Sequence, residues 1–296
     1  MTIDPSLPIL AVDTSYAVYH QFYATRRRRS MFSEDATHGD QHASPQAVGR
    51  ALVAAVARLA RRFAVPETNV VFLLDCPRVS IWRRAVYEPY KQHRVKPADF
   101  DRAVFPHILN DTLPGVRGGT IVSVPTAEGD DLAGVAASWA RARGCPSLTV
   151  VTGDSDLVQL CGDGVRVVNM HGDCMLARSK HRSAAELLAC KILAGDKSDG
   201  IPSVGARVGP KTSLALYADP ERLARLLASD PSVRLCFERN TTLVDLRCTP
   251  DGIRRDAVAQ LDRAARTGVQ TTFLSPLRQD AAELDELLEQ ENEHGA

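Results

Sequence analysis

Thr152-Gly153-Asp154-Ser155-Asp156-Leu157 is the stretch on which the reading of this chain turns. The apolar run Leu148-Thr149-Val150-Val151 leads straight into it. Such a short β-branched run reads as a buried strand. Two aspartates two residues apart then stand on the turn where the strand ends. In an open α/β sheet, that edge is where ligands bind. Two carboxylates held this close repel unless a cation lies between them. Taken alone, the pair has a commoner local reading: Asp154 caps a helix and Asp156 sits in its first turn.

The pattern recurs. Ile9-Leu10-Ala11-Val12 runs into Asp13, and Val70-Val71-Phe72-Leu73-Leu74 runs into Asp75. Ile121-Val122-Ser123-Val124 is followed, after Pro125, by Glu128-Gly129-Asp130-Asp131. Later comes Gly195-Asp196-Lys197-Ser198-Asp199-Gly200, with acids at i and i+3. Asp13, Asp75, Glu128, Asp130, Asp131, Asp154, Asp156, Asp196 and Asp199 thus have a structural reason to converge. Uncompensated, such a cluster opposes folding. Hard divalent cations with oxygen ligands, Mg²⁺ or Mn²⁺, neutralise it.

At 296 residues the chain has room for one large domain or two modest ones, and 44% hydrophobic content supports a substantial core. No run of 18 apolar residues is present, so no membrane span is expected. The start, with Asp4 and Pro5, lacks the charged-then-apolar pattern of a signal peptide. Seven scattered cysteines without a C-x-x-C pair read as reduced packing residues of an intracellular protein, and they argue against zinc. Net charge is zero, yet Arg26 to Lys96 carries 14 Lys/Arg against 6 Asp/Glu. That imbalance leaves room for a polyanionic partner.

In chain order, Ser15 to Ala24 reads as a short helix. Arg26-Arg27-Arg28-Arg29 and a polar stretch to Ser44 follow, either as a solvated arm or as a phosphate-binding one. Pro45 opens a helix with Val48, Leu52, Val56 and Leu59 on one face. The stretch from Trp82-Arg83-Arg84 to Tyr90-Lys91-Gln92-His93-Arg94-Val95-Lys96 mixes aromatics with cations. That mix serves phosphate contact and base stacking, or long cationic stems that cover apolar surface. Asp130 and Asp131 start a helix bearing Leu132, Val135, Ala136 and Trp139, ended by Gly144 and Pro146. Val165 to Val168 is a strand and Glu186 to Ala194 a helix. Strands alternating with helices indicate an α/β fold with a mostly parallel sheet. Within Gly200 to Leu214, Gly205 and Gly209 mark turns, and Pro210-Lys211-Thr212 starts a helix. The pattern reads as a helix-hairpin-helix, with backbone N–H groups and Lys211 facing a phosphate. Helices continue to about Thr267, and seven acids from Asp280 onward fall in an amphipathic tail helix.

Assembled, these residues resemble the 5′-nuclease (flap endonuclease) family, which includes the 5′-nuclease domain of bacterial DNA polymerase I and a phage ribonuclease H. The likeness runs from about Ile9 to Leu216. Glu128-Gly129-Asp130-Asp131 is similar to the family's Glu-Ala-Asp-Asp. Gly153-Asp154-Ser155-Asp156 with Gln159-Leu160 is similar to its Gly-Asp-x-Asp-x-x-Gln-Leu. Gly195 to Pro202 is similar to its Gly-Asp-x-Ser-Asp-Asn-Ile-Pro, with Gly200 in place of Asn. Tyr90-Lys91, Arg94 and Pro97 resemble an arch segment above the active site. The hairpin carries one extra residue between Val204 and Val208.

The resemblance implies a PIN-like α/β nuclease core over residues 1–182 with an arch at about 78–105. It also implies a helical DNA-binding region over 183–296, with the helix-hairpin-helix at about 200–217. It implies a Mg²⁺-dependent phosphodiesterase with two ions (Mn²⁺ able to substitute), a 5′→3′ exonuclease and flap endonuclease serving primer removal or repair. One ion lowers the pKa of a water; the other stabilises the leaving 3′ oxygen. Asp75, Glu128, Asp130 and Asp154 would serve the tighter site. Asp131, Asp156, Asp196 and Asp199 would serve the second, with Asp13 acting through water or bridging. Lys91 and Arg94 would clamp the scissile phosphate. Arg83, Arg84, Tyr90, Gly205, Gly209, Lys211 and Thr212 would contact DNA, presented as a 5′-flap or nicked duplex or an RNA–DNA hybrid. The protein would act as a monomer in the cytoplasm or nucleoid, with a single-strand-binding or other replication protein as a further partner. Two other classes stand beside this one: a PIN-type single-stranded ribonuclease, which would lack the hairpin, and a non-enzymatic junction-binding protein, which would have lost acids. A haloacid-dehalogenase-type phosphatase is set aside, because Thr14 and Ser15, not a second Asp two residues on, follow Asp13.

Overall fold

The computed structural model describes residues 2–32, 43–95, 97–116 and 118–267. Five strands form one sheet: β1 (Ile9–Asp13), β2 (Val70–Leu73), β3 (Thr120–Val122), β4 (Leu148–Val151) and β5 (Val165–Val168). Their order is β3-β2-β1-β4-β5, and every pairing is parallel. All residues of β1, β2 and β4 are buried, which is why they appear in the sequence as unbroken apolar runs.

Eleven α-helices lie among the described residues: α1 (Thr14–Phe32), α2 (Pro45–Arg62), α3 (Trp82–Val86), α4 (Val104–His107), α5 (Gly129–Ala142), α6 (Met175–Arg178), α7 (Ala184–Ala194), α8 (Pro210–Ala218), α9 (Pro220–Ser229), α10 (Pro231–Val244) and α11 (Asp251–Thr267). Alternate residues of β1 face opposite layers. Leu10 and Val12 join Phe22, Leu52 and Leu59 of α1 and α2. Ile9 and Ala11 join Leu132 and Trp139 of α5 and Leu261 of α11.

The strand order reverses at β1, whose neighbours are β2 on one side and β4 on the other. That reversal opens a crevice at the carboxyl ends of β1 and β4, the switch point of a doubly wound sheet. Asp13 closes β1, and Asp154 follows β4 by three residues.

Ser44 caps α2, its hydroxyl accepting from Ala47 N at 3.3 Å, and the apolar face expected there is buried. The first helix is longer than expected. α1 runs through the arginines to Phe32 in place of ending near Ala24. Arginine is a good helix former. Arg26 pairs with Asp99 at 2.5 Å, and Tyr23 donates to the same carboxylate at 3.0 Å. The arginine run is therefore helical at its start, not a loop. The side chains of Arg28 and Arg29, Lys96, and the acidic tail fall outside the described residues.

The division expected at residue 182 is crossed by packing. Helices α7 to α10 share one apolar cluster among themselves and a second with Ile81 and Tyr90 of the segment after β2. Helix α11 instead returns to the sheet, burying Ile253, Ala257, Leu261 and Ala264 against it. Gln260 ties it to the end of β3 through Ser123, at 3.1 and 2.7 Å. All seven cysteines are free thiols, as expected. Among the described residues no helix is long and apolar enough to cross a membrane.

Gly195, after α7, has φ +74°, and a Cβ there would meet Ile201 O at 2.4 Å. Gly144, after α5, has φ +65° with open space around it. Urea unfolding should show Gly195→Ala losing about 2 kcal/mol or more and Gly144→Ala about 1 kcal/mol. Equal losses would mean that contact, beyond φ alone, contributes nothing at Gly195.

Candidate active site

Four acids stand at the switch-point crevice without a cationic partner. Asp13 accepts from Tyr16 N at 3.0 Å and from the Thr152 hydroxyl at 2.8 Å. Thr152 Oγ1 also accepts from Asp154 N at 3.0 Å, so this hydroxyl ties the ends of β1 and β4 together. Asp75, after β2, accepts at 2.6 Å from Gly129 N, the first residue of α5. Asp130 is the next residue of that helix. Asp154 Oδ1 accepts from Asp156 N at 2.8 Å, so the local turn reading of this pair holds for the backbone. The chain then enters a short 3₁₀ turn (Asp156–Leu160) with Ser155 at its N-cap, not an α-helix.

Three of these four acids are raised above the ordinary carboxylate value. Burial, with added repulsion from Asp75 and Asp154, pushes Asp13 up to about 7. Desolvation raises Asp75, although its side chain opens to the crevice, and the Ser15 and Gly129 hydrogen bonds only partly offset this. Desolvation and Asp154 raise Asp130 well above the usual carboxylate range. Among the described residues, none of Asp13, Asp75, Asp130 and Asp154 forms a salt bridge. Hard oxygen donors gathered at a crevice, three of them held toward the neutral form chiefly by burial, fit a divalent cation, whose charge favours their ionised form.

The other five acids are already neutralised. Arg83 donates to Glu128 at 2.9 Å and to both oxygens of Asp131, at 2.9 and 2.8 Å. Its Nε donates to Leu243 O at 2.8 Å. Asp131 also accepts from Trp82 Nε1, the Thr249 hydroxyl and Glu128 N, and it is fully buried. Glu128 further accepts from Tyr90 OH at 3.0 Å and Lys91 Nζ at 2.5 Å. Burial alone would raise Glu128, but Lys91 and Arg83 hold it below its ordinary value. Asp199 pairs with Arg94 and, at 3.7 Å, with Lys91. Lys191 of α7 pairs with Asp156 and, at 2.7 Å, with Asp196. Burial would raise Asp196 as well, but Lys191 and Ser198 hold it at about 2. As placed, no three of the described acids, histidines and cysteines, the unpaired quartet included, meet closely enough to ligate one ion.

Three expectations change accordingly. Asp131 is the buried partner of Arg83 and caps α5, so its oxygens do not face the crevice. Arg83 is 1% exposed and Tyr90 3%, and both side chains are spent on Glu128 in place of facing solvent. The sequence shows cations beside acids but not whether a phosphate or a carboxylate receives them.

Lys91 sits at the junction of two segments. Its φ is +54°, its N donates to Asp199 O at 2.9 Å, and its side chain is largely buried. Arg94 is more open and also donates to Ser198 O. Gly200 has φ +71°, and a Cβ there would press on Pro89 O at 3.1 Å. Arg84 is half-buried.

Helices α7 and α8 pack together through Leu193, Val204, Val208 and Leu216. Between them Val208 N donates to Gly205 O at 2.9 Å. Neither Gly205 nor Gly209 has a positive φ, so left-handed backbone is not what they supply. Gly209, at the N-cap of α8, leaves that terminus uncovered, with Lys211 exposed and Thr212 half-buried beside it.

Gln159, marked in the sequence only as a motif position, donates to Asp156 O and Val244 O and accepts from Leu246 N, bracing the turn after β4 against the end of α10. Lys191 reads in the sequence only as part of a helix. Its signal is a lysine five residues before Asp196, close enough to fold back across the helix end.

Residues 8–190 match the family described as 5′-3′ exonuclease, N-terminal resolvase-like domain. A 5′-3′ exonuclease of Streptomyces coelicolor is 33% identical over 192 residues, 57% of this chain and 62% of that protein. The thermostable DNA polymerase I of Thermus thermophilus is 26% identical over 229 residues, 76% of this chain and 25% of the polymerase. The chain thus covers less than two thirds of these relatives' own length. Among solved structures, the bacteriophage T5 5′-exonuclease with zinc bound superposes with a TM-score of 0.65 at 14% identity, covering 87% of this chain and 99% of that one. A bacteriophage T5 flap endonuclease in a pseudo-enzyme–product complex with DNA and metal ions gives 0.63 at 13% identity, covering 88% and 100%. Those two likenesses establish the fold.

A raised carboxyl contributes stability that is full below its unfolded value of about 4 and is lost as pH rises through the folded value. For Asp13 that window ends at about 7. Asp13→Asn removes the penalty. In EDTA, the melting temperature of the parent protein should fall relative to Asp13→Asn by about 5 °C between about pH 5 and pH 8. A difference that stays constant with pH would show that Asp13 ionises freely.

Proposed function

The chain belongs to the 5′-3′ exonuclease family through its N-terminal resolvase-like domain, and on that premise we propose that it is a Mg²⁺-dependent nuclease acting from 5′ ends. Its substrates would be DNA with a 5′ flap or a nick and RNA–DNA hybrids, as in primer removal or repair, with Mn²⁺ able to replace Mg²⁺. The carrying observation is the unpaired quartet Asp13, Asp75, Asp130 and Asp154 at the switch point. A protein that only bound junctions would have no use for four uncompensated acids in a crevice that they destabilise.

The quartet would close around the first ion, its carboxylates drawing nearer than they stand here, with Asp156, Asp196 and Asp199 beside a second. Bound there, divalent ions supply Lewis-acid stabilisation of the phosphate and a water of lowered pKa. The chain's own groups do the positioning. Thr152 and Tyr16 N fix the rotamer of Asp13, and Gly129 N fixes Asp75. Arg83 holds Glu128 in place from behind. Arg94, the more open cation at the rim, is the better candidate for the scissile phosphate. Lys91 reaches it only by leaving Glu128. The N-terminus of α8, with Gly209, Lys211 and Thr212, would bind a duplex phosphate as a helix-hairpin-helix does.

The test offers the protein, with Mg²⁺, a 5′-flap duplex, the matching 3′-flap duplex and an unstructured single-stranded RNA. Cutting should fall near the base of the 5′ flap or proceed stepwise from a 5′ end, leave 5′ phosphates, and stop in EDTA. Equal cutting of both flaps, or preference for the RNA, would overturn this reading in favour of a single-stranded ribonuclease. Flap binding without cutting would favour a junction-binding protein.

Asp154→Asn should lower kcat by about 100-fold or more while leaving flap affinity in Ca²⁺ nearly unchanged. Near-parental turnover in saturating Mg²⁺ would remove Asp154 from the site.

A further inference from the structure

The crevice acids fall into two electrostatic classes. Among the described residues Asp13, Asp75, Asp130 and Asp154 form no salt bridge, and burial raises Asp13, Asp75 and Asp130 toward protonation. The acids beyond them are served by lysine and arginine. At Asp156 and Asp196 the cation, alone among the described residues, is Lys191.

We propose that Lys191 is a resident counter-ion of the second metal position: its ammonium bridges Asp156 and Asp196, and a divalent ion binding between those acids must displace it. The inference rests on the nuclease reading above. The two acids come from separate elements, the turn after β4 and the connection after α7. Asp196 Oδ1 is committed to Ser198, accepting from its N at 2.8 Å and its hydroxyl at 2.5 Å. Its Oδ2 is left to Lys191. Asp156 is tied through its own N to Asp154 of the quartet, so the bridge abuts the first metal position.

Lys191 cannot move away as a whole. Helix α7 is capped by Ser183 and anchored by Leu187, Cys190 and Leu193 on its buried face. The side chain, however, is 18% exposed, so the ammonium has a route to solvent. A divalent ion and an ammonium sharing two carboxylates repel at short range, where water screens little. The two metal positions are therefore unequal by construction. The first gains by ending repulsion among unpaired acids; the second must first break an existing ion pair.

Mn²⁺ titration of the full chain, read by calorimetry and by the electron paramagnetic resonance of free Mn²⁺, tests this without reference to activity. The parent protein should bind one ion tightly and a second at least about tenfold more weakly. Lys191→Met should tighten the second step about tenfold or more and leave the first unchanged, while Lys191→Arg should behave as the parent. Without divalent ions Lys191→Met should melt at a lower temperature, and Mn²⁺ should restore it. Lys191→Gln, which keeps a hydrogen-bond donor, provides the same comparison if methionine costs the fold. A second step unchanged or weakened by loss of the charge would overturn the proposal while leaving the nuclease reading intact. Failure of the parent protein to bind any Mn²⁺ would overturn both.

Discussion

The buried guanidinium of Arg83 is the tie on which the geometry of the crevice depends. It joins three parts of the chain: its own segment after β2, the N-terminus of α5 through Glu128 and Asp131, and the end of α10 through Leu243 O. Replacing such a network by apolar side chains can be neutral, but removing one member strands a buried charge at a cost of about 3–5 kcal/mol. Here the tie also fixes function. The start of α5 carries Asp130 and, through Gly129 N, orients Asp75. With Arg83 loose, half of the quartet would lose its frame. The Trp82 ring beside the guanidinium, 4.6 Å from it, closes the network against water.

The chain distributes its acids between order and reactivity. Where carboxylates meet arginine or lysine, they are held in ion pairs and structural. Where they lack such a partner, as at Asp13, Asp75 and Asp130, burial raises them toward protonation and stores unfavourable free energy that a ligand can release. The same crevice thus contains its own scaffold and its own binding drive. Stabilising substitutions at the quartet would be easy to find and costly to function.

The parts of this arrangement that are legible in the sequence are those set by local interactions. Strands β1, β2 and β4 are legible because parallel strands buried on both faces appear as continuous apolar runs. The acids that end them are legible because a strand's carboxyl end has one destination in such a sheet. Helix α2 is marked by Ser44 and Pro45. The fates of Arg83, Tyr90 and Asp131 are not legible, since a cation near acids reads alike whether it faces phosphate or carboxylate. The extent of α1 is hidden because a tract of four arginines also fits a solvated loop. Its helical continuation is secured by Asp99, more than seventy residues away. Lys191 is hidden for a related reason: its bridge spans from α7 back to the turn after β4, a contact no periodicity encodes.

Helix α11 has a consequence for how the molecule comes into being. One layer of the sheet is sealed by α5 together with α11, the last helix among the described residues. On a ribosome, β1 to β5 emerge well before that helix does. Until Ala264 is out, Ile9, Ala11 and Trp139 lack part of their cover, and the backbone bond from Ile3 N to Ala264 O cannot form. Contacts of such long sequence separation are made late, because loop closure must precede them. The helices between α7 and α10, including those that would grip the substrate, are therefore synthesised before the sheet is sealed. A nascent chain would thus carry all of α7 to α10 while one face of its sheet still lacked part of its cover.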